Sequence, residues 1–551
     1  MRAVLVLAVA AALAAGRPGD AVARAGAVAT EHAFAAAAGA EVLREGGSAV
    51  DAAIAAAAAV CVVHASSCGI GGGGFALVHA ASGADFALDY RECAPAGATP
   101  DRFRVDGKPD PALLRTGGLA VGVPGEVAGL TTLHRRFGHL PFPRVLAPAI
   151  RLAREGFILG DVPHLAREIE HARALLAADP GLRRVFLAED GSLPGRAFRV
   201  VQADLAGTLE RVAADGARAF YGGAVAAAIT AAVQERRGVL SASDLGRYRP
   251  RWRRPLRGAF HGRRIVTFPP PGSGGVLLEV LGILARDDLA ALGAGTPTTL
   301  HLLSGAMAQG FADRARWYGD PDFGPVPVGA LLAPPRLAAL RARLSAVRVT
   351  EPRAAIAPDD GTAHVSVVDA AGNAAAITTT INTGFGAGIM VPGTGIILNN
   401  EMDDFAVAPG VPNVYGLVGA AANAIAPGKR PQSSMSPTVV LDGRRPELVV
   451  GGSGGPTIIS GTLQTVLGVT VFGLGLRDAV DAPRIHDQAV PPVLAVESGV
   501  APEARSLLER LGHRVTVVPA IGAVAAAGLA ADGAPVAAGD ARKDGGAAVV
   551  P

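Results

Sequence analysis

Gly361-Thr362-Ala363-His364-Val365-Ser366-Val367-Val368-Asp369-Ala370-Ala371-Gly372-Asn373-Ala374-Ala375-Ala376-Ile377-Thr378-Thr379-Thr380-Ile381-Asn382 is the stretch on which the reading of this 551-residue chain turns. Residues alternate on either side of Ala371-Gly372-Asn373, the pattern of two antiparallel strands joined by a tight loop. A three-residue loop pairs 369 with 373 and brings 362 opposite 380; a four-residue loop moves the partner of 362 to 381. In both registers Thr380 and Asn382 lie beside Thr362, so hydroxyls and an amide collect at one end of the hairpin. Polar residues at a strand end are often no more than solvated surface. Gly361-Thr362 adds chemistry. A threonine made N-terminal by chain cleavage carries a nucleophilic hydroxyl and its own base, because an α-amine titrates near ~7.7–8.0.

Just upstream, Ala357-Pro358-Asp359-Asp360-Gly361 is turn-rich, suits exposure and marks a boundary. The texture changes there. Residues 125–240 are mostly helical by period, with 163–176 and Gly223–Glu235 as examples, whereas short β-rich runs follow 362. From Thr362 onward there are 11 basic and 15 acidic residues, net −4, which leaves +7 before it. That asymmetry agrees with two unlike pieces packed together. The overall charge of +3, the lack of long Lys/Arg runs and an aromatic content of 4% argue against a nucleic-acid partner. With 50% hydrophobic and 18% charged residues the chain is not a disordered, charge-driven one.

The N-terminus reads as an export signal. Met1-Arg2 precedes an apolar run over 3–15 and the exit Gly16-Arg17-Pro18. Such a run falls short of the ~20 residues that cross a bilayer. Ala12-Leu13-Ala14 and Ala21-Val22-Ala23 offer cleavage sites after Ala14 or Ala23. No later segment reads as a membrane span. The expectation is a soluble, exported protein, periplasmic or extracellular.

Two further motifs compete to carry chemistry. Ser48-Ala49-Val50-Asp51 is a capping-box pattern opening an Ala-rich helix to about Val63. It leads into Gly69-x-Gly71-x-x-Gly74 and then a strand hairpin, 75–90, turning near Ser82-Gly83. A dinucleotide loop needs the opposite order, strand before and helix after, so close backbone packing is the better reading of these glycines. Gly451-Gly452-Ser453-Gly454-Gly455 matches the nucleophile elbow G-x-S-x-G after a strand at 446–450. Asp481, His486 and His513 follow in the chain order of a hydrolase triad, making Ser453 a rival nucleophile. Against it, Pro456 sits where the elbow helix must start. A tight glycine turn presenting N–H groups to an oxyanion is as natural a reading.

At the 361–382 block the sequence resembles the γ-glutamyltransferases (γ-glutamyltranspeptidases) of the N-terminal nucleophile hydrolase superfamily. The resemblance includes Leu88-Asp89-Tyr90-Arg91-Glu92, Gly118-Leu119-Ala120-Val121-Gly122-Val123-Pro124-Gly125 and Tyr318-Gly319-Asp320-Pro321-Asp322-Phe323. It continues through Gly361-Thr362-Ala363-His364, Asn399-Asn400-Glu401-Met402-Asp403-Asp404-Phe405, Ser433-Ser434-Met435-Ser436-Pro437 and 451–455. It runs from about residue 27 to near 545.

The resemblance implies an α+β fold, a four-layer αββα sandwich built from two autoproteolytic subunits. After the leader at 1–23, these are a large subunit at 24–361 and a small one at 362–551, which form a heterodimer. It implies that Thr362 attacks the γ-carbonyl of a donor such as glutathione and passes the acyl group to water or to an amino acid or peptide amine. Thr380 would hydrogen-bond the nucleophile, and Gly454 and Gly455 would form the oxyanion hole. Arg91, Ser433 and Ser434 suit the donor's α-carboxylate; Asn382, Glu401 and Asp404 suit its α-ammonium. The stretch 409–429 resembles a covering lid, with Tyr415 its only aromatic. No Cys/His set has zinc spacing, and no cofactor or metal is inferred. A related acylase acting on β-lactam side chains or polyglutamate is the alternative, although it would not need both Glu401 and Asp404. The cysteines stand outside the resemblance. Extending the 75–90 register brings Cys68 and Cys93 to one end of the hairpin, so a Cys68–Cys93 disulfide with Cys61 free and buried is one expectation. Three unpaired, buried thiols is the other.

Overall fold

The computed structural model describes residues 25–344 and 361–551. The expected leader at 1–23 and most of the turn-rich stretch 357–361 lie outside them.

The strands Gly26–Thr30, Ala363–Asp369 and Ala374–Thr380 sit in the middle of a seven-stranded sheet. Gly546–Val550 closes one edge; Gly73–His79, Asp85–Tyr90 and Arg251–Arg253 complete the other side. The register of the 363–380 hairpin is the three-residue-loop one, with Ala363 opposite Thr379 and Val368 opposite Ala374. The 75–90 hairpin pairs Phe75 with Asp89 and His79 with Asp85. A six-stranded sheet runs Pro535–Gly539, Ala523–Leu529, Arg445–Ser453, Thr438–Asp442, Arg263–Thr267 and Leu256–Phe260.

Side-chain alternation then builds the interior. Ala27 and Ala29 join Phe75, Leu77 and Val368 in an apolar cluster shared with Val266, Val439 and Val449 of the second sheet. Val28, Val365 and Val367 point the other way, into a cluster with the helices Ala33–Arg44 and Ala49–Val63. The second sheet repeats the arrangement, with Val440, Leu448 and Val450 packed among residues of Gly274–Leu284 and Thr457–Thr470. The helix Ala49–Val63 is buried along its whole length, which is why it is apolar on every side. Its start carries the full capping box, Ser48 and Asp51 each bonding the other's backbone N–H. Gly223–Glu235 is a single helix, but 163–176 is two, Pro163–His171 and Arg173–Ala178. Among the described residues no helix is long and apolar enough to cross a membrane.

The cysteine expectations are both corrected. The disulfide joins Cys61 to Cys68, with Cα atoms 4.9 Å apart, and Cys93 is the free thiol. The cause is local: the N–H groups of Ser67 and Cys68 both bond His64 O, turning the chain back over the last turn of its own helix. Cys93 meanwhile pairs its backbone with Val123. The glycine loop does serve close packing. A Cβ at Gly72 would lie 1.9 Å from Thr380 O, and one at Gly74 would lie 2.1 Å from Thr378 O.

Candidate active site

Thr362 stands immediately before its strand and Thr380 ends the partner strand, so the register places their hydroxyl oxygens 3.0 Å apart. Thr380 Oγ1 also accepts the N–H of Asn382 at 2.8 Å, which suits its own O–H to point at Thr362. The Thr362 N–H is held by Ser67 O at 3.1 Å, in the turn that the disulfide closes. Thr362 has φ of +71°, unusual for a β-branched residue. Strain of this kind costs about 1–3 kcal/mol and collects at functional positions.

Arg91, Thr362, Thr380, Asn382, Glu401, Asp404, Tyr415, Ser433, Ser434 and Gly455 line one cavity, joined there by Met435 and Ile458. Gly454 adjoins it. Both glycines have positive φ, +113° and +51°, in the turn between the strand Arg445–Ser453 and the helix Thr457–Thr470.

Arg91 follows the strand Asp85–Tyr90 and is fully buried. Its guanidinium is forked between Glu401 and Asp404, with Glu92 Oε2 3.7 Å away. Glu401 and Asp404 open and close one 3-10 turn, whose i and i+3 side chains eclipse, so both carboxylates face the same cation. Burial works against the Arg91 charge, but Glu401, Asp404 and Glu92 together raise its pKa above the ordinary arginine value. Burial drives Glu401 well above the carboxylate range despite Arg91, and pushes Glu92 up to about 7. Arg91 thus sits among three carboxyl groups, two of which burial pushes toward their neutral form.

The rest of the cavity is hydroxyl and amide. Ser434 Oγ accepts from Arg314 at 3.2 Å, and Ser433 Oγ accepts the Met435 N–H at 3.2 Å. Asn382 donates to Asn400 O at 3.1 Å, and its Oδ1 accepts the Tyr415 hydroxyl at 2.7 Å. Arg314, on the helix Pro297–Trp317, belongs to none of the motifs read from the sequence. It is buried, bonding Ser273 and Ser434, and burial lowers its pKa to about 10.

The rival nucleophile is not equipped. The strand–turn–helix around Ser453 exists, with Pro456 as the N-cap. His486, however, bonds Ser460 and Gln488, His513 bonds His301, and Asp481 pairs with Arg477. Ser453 instead interacts with Lys543 and Glu31, which pair with each other. Among the described residues no group of three or more His, Cys, Asp or Glu is placed to hold a metal ion.

The family described as gamma-glutamyltranspeptidase matches residues 35–550. A glutathione hydrolase proenzyme of Escherichia coli (strain K12) is 39% identical over 94% of this chain and 91% of its own length. A cephalosporin acylase from Bacillus halodurans has the same fold at a TM-score of 0.84, with 28% identity and 98% coverage of both chains. A Helicobacter pylori gamma-glutamyltranspeptidase chain is 34% identical, with a TM-score of 0.57 over 62% of this chain and 95% of that one. On the extent of these matches, the chain belongs to the gamma-glutamyltranspeptidase family.

Proposed function

We propose that the protein cleaves itself before Thr362 and then acts as a γ-glutamyltransferase and glutathione hydrolase. The observation that carries the reading is the adjacency of the Thr362–Thr380 pair to a guanidinium ringed by three carboxylates. A γ-glutamyl head is a zwitterion. Its α-carboxylate takes Arg91 and the hydroxyls of Ser433 and Ser434, while its α-ammonium donates to Glu401 and Asp404. Bound this way, the head presents its γ-carbonyl to Thr362. The freed α-amine takes the Thr362 proton, Oγ1 adds to the carbonyl, and the Gly454 and Gly455 N–H groups stabilise the oxyanion. The leaving amine departs with the proton. Water or an acceptor amine then releases the γ-glutamyl group.

In this reading the two facing sheets and their outer helices are the αββα sandwich of N-terminal nucleophile hydrolases, formed by a large piece to Gly361 and a small one from Thr362. The Helicobacter pylori chain, 95% of which matches 62% of this one, supports a large piece of that proportion. The leader at 1–23 supports export to the periplasm or medium, and the Cys61–Cys68 disulfide agrees with an oxidising compartment.

Likeness to a cephalosporin acylase over 98% of the chain favours a second reading, hydrolysis of an acyl amide without an α-amine. One experiment separates them. Purified protein is given glutathione with and without glycylglycine, and in parallel a glutaryl amide. Release of glutamate and formation of γ-glutamyl-glycylglycine support the first reading; turnover of the glutaryl amide alone supports the second.

A further inference from the structure

Lys543 ends the short turn Ala541–Lys543 near the C-terminus, and its ammonium is buried. It donates to Thr362 O at 2.5 Å and to Gly361 O at 3.4 Å, and approaches Ser453 Oγ at 3.4 Å. Glu31 Oε2 pairs with it at 3.1 Å. The other oxygen of Glu31 accepts the His364 N–H at 3.0 Å, so the pair is fixed to the strand that follows Thr362. A buried ammonium is costly unless it is paired and hydrogen-bonded. This one is spent on the two carbonyls that flank the Thr362 nitrogen, and the transfer reaction above uses none of its contacts.

We infer that Lys543 is the electrophilic residue of self-cleavage, stabilising the Gly361 oxygen as the peptide bond before Thr362 is broken. The inference rests on the reading of Thr362 as a nucleophile freed by cutting. Thr362 Oγ1 adds to the Gly361 carbonyl carbon, and the C=O electron pair moves onto the Gly361 oxygen, where the Lys543 N–H donates to it. Collapse breaks the bond to the Thr362 nitrogen, which leaves carrying the hydroxyl's proton. The product is an ester between Gly361 and Thr362 Oγ1. Water adds to that ester and returns the Thr362 hydroxyl and a Gly361 carboxylate. Lys543 is not consumed. Its bond to Thr362 O survives the cut and continues to hold the new N-terminal residue. The oxyanion of self-cleavage thus has a different donor from the glycine turn assigned to the substrate's oxyanion.

The test is the rate at which newly translated full-length chain splits into pieces of 361 and 190 residues, less any leader, on denaturing electrophoresis. Four variants are compared: Lys543→Met, Lys543→Arg, Glu31→Gln, and Glu31→Gln with Lys543→Met. The double variant removes both buried charges together, so it is the measure of the lysine where Lys543→Met alone fails to fold. Its cutting should slow roughly 100-fold or more, whereas Lys543→Arg stays within about tenfold of wild type. Glu31→Gln alone breaks the ion pair but keeps the N–H donor, and should cut at nearly the wild-type rate. A double variant that cuts as fast as wild type overturns the inference. So does Glu31→Gln slowing as much as loss of the lysine, because the ion pair would then serve only as a scaffold. A wild-type chain that never splits sinks the reading of Thr362 instead.

Discussion

The Thr362 and Thr380 hydroxyl oxygens lie 3.0 Å apart because one three-residue loop, far along the hairpin, sets the register of both strands. The wild-type chain is therefore expected as two pieces of 361 and 190 residues, less any leader. Thr362→Ala should remain a single, inactive chain. Thr380→Ala should fold and cut more slowly, since it removes the nucleophile's partner but not the nucleophile. Electrophoresis and glutathione turnover check all three, and an uncut but fully active wild type contradicts the scheme.

Arg91→Lys keeps the charge of the pocket and loses the fork between Glu401 and Asp404. One charge-assisted contact is worth ~1.5–3 kcal/mol, so the donor KM should rise about ten- to a hundredfold. Self-cleavage should change less, because Arg91 makes no contact with the Gly361–Thr362 bond. Steady-state kinetics with glutathione decide it; an unchanged KM removes Arg91 from donor binding.

Tyr415 closes over the cavity through its bonds to Asn382 O at 3.2 Å and Oδ1 at 2.7 Å. If the 409–429 stretch is a lid, Tyr415→Phe should loosen it at the cost of a neutral hydrogen bond, ~0.5–1.5 kcal/mol. The expected result is a several-fold higher KM for glutathione together with better turnover of donors bearing bulkier leaving groups. Unchanged selectivity marks the segment as a connector.

Glu126 gives a pH dependence of stability. Its Oε2 accepts from Thr379 at 2.8 Å, its Oε1 is buried without a partner, and burial pushes its pKa from 4.5 up to about 8. The folded chain therefore keeps a proton that the unfolded chain loses. The stability this contributes is complete below pH 4.5 and disappears as pH rises through about 8. Thermal melts should show wild-type Tm falling over that interval more steeply than Tm of Glu126→Gln. Parallel curves would mean the carboxyl is ionised in the folded protein.

The Cys61–Cys68 bridge spans seven positions, a loop for which chain entropy gives roughly 2.5 kcal/mol. Replacing both cysteines by alanine should lower stability by about that amount and loosen the Ser67 carbonyl that holds Thr362. Thiol titration of denatured, unreduced protein should find Cys93 alone, and peptide mapping should link 61 to 68. Three titrating thiols would refute the bridge.

Legibility followed the range of the forces involved. The 363–380 hairpin, the capping box at Ser48 and the glycine turn after Ser453 could be read from residues because each rests on contacts between near neighbours: side-chain alternation, a cap three residues away, a positive φ. The residues around the cavity were legible only as scattered family motifs, and the charge balance of their pocket was not. Whether Arg91 answers to one carboxylate or to three depends on a turn more than 300 residues later. Cys68 defeated the reading for the opposite reason, since extending a strand register ignored a bond within its own helix turn. Arg314, Glu31 and Lys543 look like ordinary surface charges in the sequence. Burial comes from packing the two sheets and their helices, and no local pattern records it. The chain alone thus points to Thr362 as a candidate nucleophile and to the strands that carry it; packing across long separations decides which charges lose their water and gather around Thr362 and its pocket.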